Sequence, residues 1–284
     1  MKGSSVVSKR NAVESSGAAV ALTIAGLDPS GGAGVIADVR TFAAFGCFAT
    51  AAITSLTFQN TTGVFGAVHQ TPETVRAQVM PIVEDFKVAC AKTGMLPTRE
   101  IISEVARLFR ETALPAPVVD PVMRATSGDD LIDDDAVESL IRELFPLALV
   151  ITPNIPEAER LTGLNINNEP AMRVAARIIR GMGARAVLVK GGHLAGVERY
   201  AIDVLDNEGR ITVFADEMIA GGEVHGSGCT LSAAITAGVG NGQDLEEAIR
   251  TAKNFVTESI RHSPQLGHGA RPLYNDLRHP PPRN

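Results

Sequence analysis

The chain is short of several things, and each scarcity narrows what it can be. It has only three cysteines, Cys47, Cys90 and Cys229, an odd number at wide spacing. That fits a reducing cytosol better than a disulfide framework, and no close Cys/His cluster points to zinc. No block of Lys or Arg stands out, and the net charge is −6 with a pI of about 5.6. Nucleic acid is therefore not an expected partner, and an anionic substrate needs locally gathered positive groups. No run is long and apolar enough to span a membrane. Residues 1–17 are rich in Ser, Gly and charge and lack an apolar run of signal-peptide length, so they read as a disordered lead-in. Residues 277–284 read as a loose tail. These features together predict a cytoplasmic protein.

What is present is enough apolar material for a sizeable core: 284 residues, 45% of them hydrophobic. One domain over residues 18–276 is the simplest organisation. Short apolar runs read as strands at Val20–Ala25, Val88–Lys92, Val118–Val119, Leu147–Ile151 and Ala186–Val189. Helices are expected between them, at about 33–45, 72–86, 98–111, 133–144, 156–161 and 170–182, and later at about 229–238 and 244–261. Two extended pairs stand apart. Phe48–Gln59 with Val64–His69 forms a hairpin or flap across Asn60–Gly63, and Tyr200–Leu205 pairs with Ile211–Phe214 across Asn207–Gly209. Alternating strands and helices predict an α/β fold with a mostly parallel sheet covered on both faces, which binds ligands at the carboxyl edge of its strands.

Two glycine-rich stretches carry the chemistry. Residues 224–240 open with His225-Gly226-Ser227-Gly228-Cys229 and run into an apolar, helix-compatible segment. A helix starting near Cys229 leaves unpartnered N–H groups and partial positive charge at its head, a seat for phosphate. A thiol placed there is expected to have a lowered pKa. A glycine turn that merely precedes a core helix reads the segment equally well. The second stretch, Gly32-Ala33-Gly34-Val35-Ile36-Ala37, fits a dinucleotide fingerprint, but that fingerprint wants an acidic residue about 20 positions on. Between Val39 and Pro72 there is no Asp or Glu. A P-loop also fails, because Gly32 stands where its lysine belongs.

Polar residues follow most of the expected strands: Asp28, Lys92-Thr93-Gly94, Asp120, Asn154 and Lys190-Gly191-Gly192. With Gln59-Asn60-Thr61, Met95-Leu96, Pro121-Val122-Met123, Thr152-Pro153-Asn154 with Glu157, His193 and the Cys229 loop, this ordered set resembles the hydroxymethylpyrimidine/phosphomethylpyrimidine kinases of thiamine biosynthesis. Those kinases belong to the ribokinase-like superfamily, and the resemblance covers roughly residues 19–262. It implies a three-layer α/β/α fold with a small β-flap, ATP and Mg²⁺ as cofactors, and two phosphorylations at one site. The first is of 4-amino-5-hydroxymethyl-2-methylpyrimidine and the second is of its monophosphate.

The resemblance also assigns roles. Gln59 would read the aminopyrimidine edge, since its amide both donates and accepts. Gly26, Ala33 and Asp38 would line or support the same pocket, and Met95 and Val122 would touch the ring. Cys229 would be the base or would orient the hydroxyl, where most relatives in the superfamily carry Asp. Gly226, Ser227 and Gly228 would hold the transferring phosphoryl group. Asp120 and Glu157 would hold Mg²⁺, Asn154 and Lys190 would face the phosphates, and Lys253 would approach the nucleotide. Thr126 and Thr57 depart from the family pattern. A pyridoxal or pyridoxine kinase, alone or as a dual activity, is the alternative. A regulatory protein that has lost catalysis is a third reading, which the intact Cys229 loop disfavours. Relatives are dimers, so a homodimer through the flap is expected, with no nucleic acid and no membrane as partner.

Overall fold

The computed structural model describes residues 17–124, 131–192, 200–219 and 224–276. The remainder, including Thr126, His193, most of the lead-in and the tail, lies outside the described residues. A nine-stranded sheet runs in the order β3-β2-β1-β4-β5-β6-β7-β8-β9. Its strands are β1 (Val20–Leu27), β2 (Phe48–Asn60), β3 (Gly63–His69), β4 (Val88–Thr93), β5 (Val118–Val119), β6 (Val150–Ile151), β7 (Ala186–Gly191), β8 (Tyr200–Asn207) and β9 (Arg210–Glu217). From β2 through β1 to β7 the pairing is parallel, and antiparallel strands β3, β8 and β9 close the two edges.

Neighbouring residues on each strand feed opposite layers, as the pleat requires. Leu22, Val119, Ile151 and Val187 pack with α2 (Pro72–Asp85), α3 (Arg99–Glu111), α4 (Asp134–Ser139), α5 (Ile155–Thr162) and α6 (Glu169–Gly181). Ala21, Val118, Val150 and Leu188 face the other way, against α1 (Gly34–Ala44), α7 (Ser227–Gly240) and α8 (Leu245–Arg261). This is the expected three-layer arrangement.

Several boundaries move for identifiable reasons. The expected 133–144 helix is α4 followed by a π-turn, Leu140–Leu144, and a 3₁₀ turn, Phe145–Leu147. Pro146 cannot donate the next helical bond, so the chain leaves the α-helix there and β6 starts only at Val150. The expected start of α7 at Cys229 is also corrected: the helix opens two residues earlier, at Ser227. Gly226, at φ 84°, makes the left-handed step that lets it do so.

The first hairpin is a flap. The body of β2 pairs with β1, and its last residues pair with β3 and run on past the end of β1. The second hairpin turns on Glu208 and Gly209, both at positive φ, which is the backbone of a type I′ connection. A feature the sequence did not announce is the segment after α8. Its strand β11 (Arg271–Pro272) pairs with β10 (Val224–His225), the strand that leads into the Cys229 loop. The same segment also touches the flap tip, where Ala270 N–H donates to Thr61 O at 2.9 Å.

Candidate active site

Of the eight α-helices among the described residues, six begin with a side-chain cap from Thr71, Thr98, Asp133, Asn154, Asn168 or Asp244. Among the described helices, α1 and α7 start without one, at Ala33 and Gly226. These two uncapped ends meet: a Cβ on Gly226 would lie 3.3 Å from the Ala33 Cα, and the Gly34 N–H at the head of α1 is near enough to the Cys229 sulfur in the first turn of α7 to favour its charged form. The first bond within α7 runs from Thr230 N–H to Gly226 O at 2.9 Å. The amides of Ser227, Gly228 and Cys229 therefore head the helix without intrahelical partners, which is the geometry that receives a phosphate oxygen.

The close approach that builds this loop leaves no room for side chains. A Cβ on Gly226 would lie 1.8 Å from Gly32 O, and one on Gly32 would lie 2.4 Å from the His225 ring. Asp28 ties the two glycine loops together. Its Oδ2 accepts from Ala33 N–H at 2.9 Å and lies 3.0 Å from His225 Nε2, while its Oδ1 accepts from the Ser30 N–H and hydroxyl. Burial alone would raise the Asp28 carboxyl, but His225 and the Ser30 and Ala33 donors hold it below the usual carboxylate range.

The strand ends bring the charged residues together. Lys190, closing β7, donates to Asp120 Oδ1 at 3.0 Å, and its ammonium lies 3.1 Å from where a Cβ on Gly228 would be. Asp120 also accepts from Ser232 at 3.1 Å and Thr152 at 3.3 Å. Burial pushes its carboxyl up, and the Lys190 and Lys92 charges outweigh that and hold it low. Asn154 and Glu157 form a reciprocal capping box at the head of α5, and Asn154 bridges to Lys190 across the strand ends. Burial pushes the Glu157 carboxyl up to about 7, with Lys190 opposing and Asp120 reinforcing the shift.

Beneath the thiol lies an ion pair with no solvent exposure, Lys92 Nζ to Asp38 Oδ2 at 2.9 Å, joined by Thr23 at 2.6 Å. Asp38 is therefore buried beneath the site, held by Lys92 and Thr23. The expectation of a lowered Cys229 thiol is overturned. Burial pushes it up to about 12, and Asp120 and Asp38 add to the rise against the opposing effects of Lys92 and the Gly34 N–H. Desolvation and two carboxylates outweigh one lysine and one backbone donor.

Of the pocket residues, Gly26 and Met95 adjoin: a Cβ on Gly26 would lie 3.1 Å from the Met95 sulfur. Val122 is half-buried two residues past Asp120. Gln59 is half-buried where β2 shifts register against β3, and no hydrogen bond links it to the charged group. The Thr57 departure has a local account, because its hydroxyl donates to Leu27 O at 2.8 Å. Lys253 is buried with its ammonium on Asp203 Oδ2 at 2.6 Å, so its charge is already matched inside the protein. Sequence reasoning missed the parts played by Asp28, His225, Ser232, Lys92 and Asp203. The signal for Lys92 was available: a lysine inside a strand covered on both faces must be paired.

The donors suit a magnesium ion that arrives with phosphate. Asp120 already accepts from Lys190, Thr152 and Ser232, and Glu157 from its capping partner. Among the described residues there is no cluster of three or more metal-ligating side chains. A cage is therefore absent there, whereas the raised Glu157 carboxyl beside a second carboxylate is relieved by any added cation. Magnesium keeps several waters and needs only one or two carboxylates, so these residues fit it.

Unpartnered helix-head amides, an adjacent lysine and buried carboxylates, gathered at the carboxyl edge of a parallel sheet with a β-flap, suit a small-molecule kinase of the ribokinase-like class. The chain belongs to the phosphomethylpyrimidine kinase family, which it matches over residues 28–274. It is 42% identical over 254 residues to the hydroxymethylpyrimidine/phosphomethylpyrimidine kinase of Haemophilus influenzae, covering 88% of this chain and 94% of that one. It is 44% identical over 256 residues to a bifunctional thiamine biosynthesis protein of Geobacter sulfurreducens, covering 90% of this chain and spanning about half, 52%, of that longer protein. Its backbone superposes on the ADP complex of Bacillus subtilis pyridoxal kinase with a TM-score of 0.84 at 36% identity, covering 92% and 99% of the two chains.

Proposed function

We infer that this kinase transfers phosphate from ATP to 4-amino-5-hydroxymethyl-2-methylpyrimidine and then to its monophosphate. The observation that carries the reading is the convergence of the Ser227–Cys229 amides, the Lys190 ammonium and the Cys229 sulfur at one sheet edge.

The chemistry follows from that arrangement. In the first reaction the substrate alcohol oxygen forms a bond to the γ-phosphorus as the bond to the ADP oxygen breaks, and the hydroxyl proton passes to the transferred phosphoryl oxygens or to water. In the second a phosphate oxygen of the monophosphate is the attacking atom, and ADP leaves in the same way. Phosphoryl transfer passes through a loose transition state, so positioning and charge stabilisation do most of the work. The amides of Ser227 and Gly228 hold the equatorial oxygens, and Lys190 and Asn154 hold the phosphates behind them. Magnesium, held by Asp120 and Glu157 through water, would supply positive charge against the phosphate oxygens. A thiol raised to about 12 is neutral near pH 7, so Cys229 orients the alcohol through a hydrogen bond. Gly26, Ala33, Gln59, Met95 and Val122 form the pyrimidine side, with Asp38 beneath it. Lys253 acts on the nucleotide side through Asp203.

Pyridoxal phosphorylation is the second reading, favoured by the likeness to the Bacillus subtilis pyridoxal kinase. A panel of both alcohols and the pyrimidine monophosphate with ATP and Mg²⁺, read by product mass, tests the two. Turnover of pyridoxal alone overturns the first reading.

The flap also supports a homodimer. Leu56, Phe58, Phe65 and Val68 are all exposed where β2 pairs with β3, an apolar surface that a second copy would cover. Sedimentation equilibrium showing only monomer at working concentration would reject it. No helix among the described residues is long and apolar enough to cross a membrane. A cytoplasmic site of action suits a kinase that draws on ATP and a chain whose three cysteines are all free thiols.

A further inference from the structure

We propose that Asp203 is a positioning residue for the nucleotide half of the site. The proposal rests on reading Lys190 and the Ser227–Cys229 amides as the phosphate seat. Lys190 and Asp203 are direct partners across the antiparallel β7–β8 ladder, so their side chains leave the sheet on the same face. Opposite charges placed that way would ordinarily pair. Here they do not, because Asp203 is filled by others: its Oδ1 accepts from Gly191 N–H at 3.0 Å and its Oδ2 from Lys253 at 2.6 Å. The Lys190 ammonium is thereby released to Asp120, 3.0 Å away, at the mouth of the Ser227–Cys229 seat.

The same carboxylate fixes the backbone that carries Lys190. The Lys190 N–H donates to Pro153 O at 2.8 Å on β6's side, and the next N–H, of Gly191, donates to Asp203 on the other. Two consecutive amides are gripped from opposite sides. Gly191 has no slack either: a Cβ there would lie 2.2 Å from Ile202 O and 2.7 Å from the Met172 methyl. Asp203 thus sets both the direction and the height from which Lys190 reaches the phosphates. Asp203's own partners, Gly191 N–H and Lys253, lie on the Lys190 side and not on the pyrimidine-side residues, so its main effect falls on nucleotide.

Calorimetric titration of the whole protein with the ATP analogue AMP-PCP, alongside steady-state kinetics, tests this. Asp203→Leu removes the acceptor for Gly191. It is expected to weaken AMP-PCP binding at least tenfold and to raise KM for ATP in step, with KM for the alcohol within twofold of wild type. Asp203→Asn still offers Gly191 an oxygen and is expected to stay within threefold on AMP-PCP. Asp203→Ala is read in the same way should the leucine protein not fold. The proposal is overturned if the acceptor-less variants bind AMP-PCP within twofold of wild type, if the asparagine variant is as weak as they are, or if both KM values move together. The AMP-PCP arm needs no alcohol, so a wild type that binds the analogue yet phosphorylates no pyrimidine sinks the substrate assignment alone. A wild type that binds no analogue sinks both.

Discussion

The Asp28 carboxylate and the His225 ring, 197 positions apart in the chain, meet at 3.0 Å and join the loop before α1 to the loop before α7. In the proposed function one loop serves the alcohol and the other the phosphate, and on that reading this contact sets the distance across which phosphate must pass. Asp28→Ala leaves the Ser30 and Ala33 N–H groups without their acceptor. Each such loss costs about 1–3 kcal/mol when buried. Thermal unfolding is expected to show the loss of stability. Activity should fall further than stability explains, because misplacement of about 1 Å can cost about 100-fold. A variant whose kcat/KM matches wild type at a temperature where it is fully folded contradicts the bridging role.

Two glycines with similar backbones allow a cleaner comparison. Gly226 and Gly242 both sit at positive φ, 84° and 90°. A methyl group added at Gly242 would have nothing within 4 Å, whereas the same methyl on Gly226 would meet Gly32 O at 1.8 Å. Alanine at either site carries the left-handed strain of about 1–2 kcal/mol. Gly242→Ala should therefore lose a little stability and keep full turnover, while Gly226→Ala should lose turnover outright. Equal activities in the two purified proteins would show that the tight loop crossing is dispensable.

The Lys92–Asp38 pair makes a prediction about stability and activity together. Both side chains have no exposure. Removing one member strands the other, at a cost of about 3–5 kcal/mol, whereas replacing both with apolar residues of similar size is often close to neutral. Lys92→Met is expected to be strongly destabilised in urea. Lys92→Met with Asp38→Leu should regain most of that stability yet remain slow, because the lysine charge beneath Cys229 and Asp120 is gone. Recovery of wild-type kcat in the double variant would reduce the pair to a packing element.

How much of this could be read from the chain follows from which signals are local. Strand ends such as Asp120, Asn154 and Lys190 announce themselves, because a buried apolar run stops at a polar group. So does the Gly226 loop, by its lack of side chains. The missing caps of α1 and α7 were also visible in principle: Ala33 and Gly226 stand where the other helices carry Thr, Asp or Asn. Three features were not legible. The Cys229 thiol shift depends first on burial and then on Asp120 and Asp38, which reach it from the end of β5 and from α1. The His225 contact depends on the 197-residue return of the chain. The filled state of Asp203 depends on the β7–β8 register, which a hairpin pattern fixes only to within a residue or two.

Glu157 supplies a pH dependence with a definite sign. Its folded carboxyl is raised to about 7 from an ordinary value of 4.5. Between those values the folded protein holds a proton that the unfolded chain has released. Stability contributed by this group is therefore greatest at the acid end of that window and is lost as pH rises toward 7. Glu157→Gln should flatten that slope in urea unfolding curves taken from pH 5 to pH 7.5. A cation competes with the same proton, so the Mg²⁺ concentration for half-maximal rate should fall as pH rises through 7. A slope identical in wild type and Glu157→Gln would place the raised carboxyl elsewhere.

Cys229 offers the most direct chemical reading of the site. A thiol at about 12, against 9.0 for an ordinary one, carries about a thousandfold less thiolate near neutral pH, and thiolate is the form that alkylates. Iodoacetamide at pH 7.5 should therefore leave Cys229 largely unmodified in the free protein, with the modified site identified by peptide mass. On the proposal that the neutral thiol holds the alcohol, Cys229→Ser should keep more activity than Cys229→Ala, for which a loss of about 100-fold in kcat is expected from removal of one positioned hydrogen-bonding group. Fast alkylation of Cys229 would restore the thiolate and with it a general-base role. Alanine and serine proteins equally slow would then agree with that base, since neither side chain can take up a proton near neutral pH.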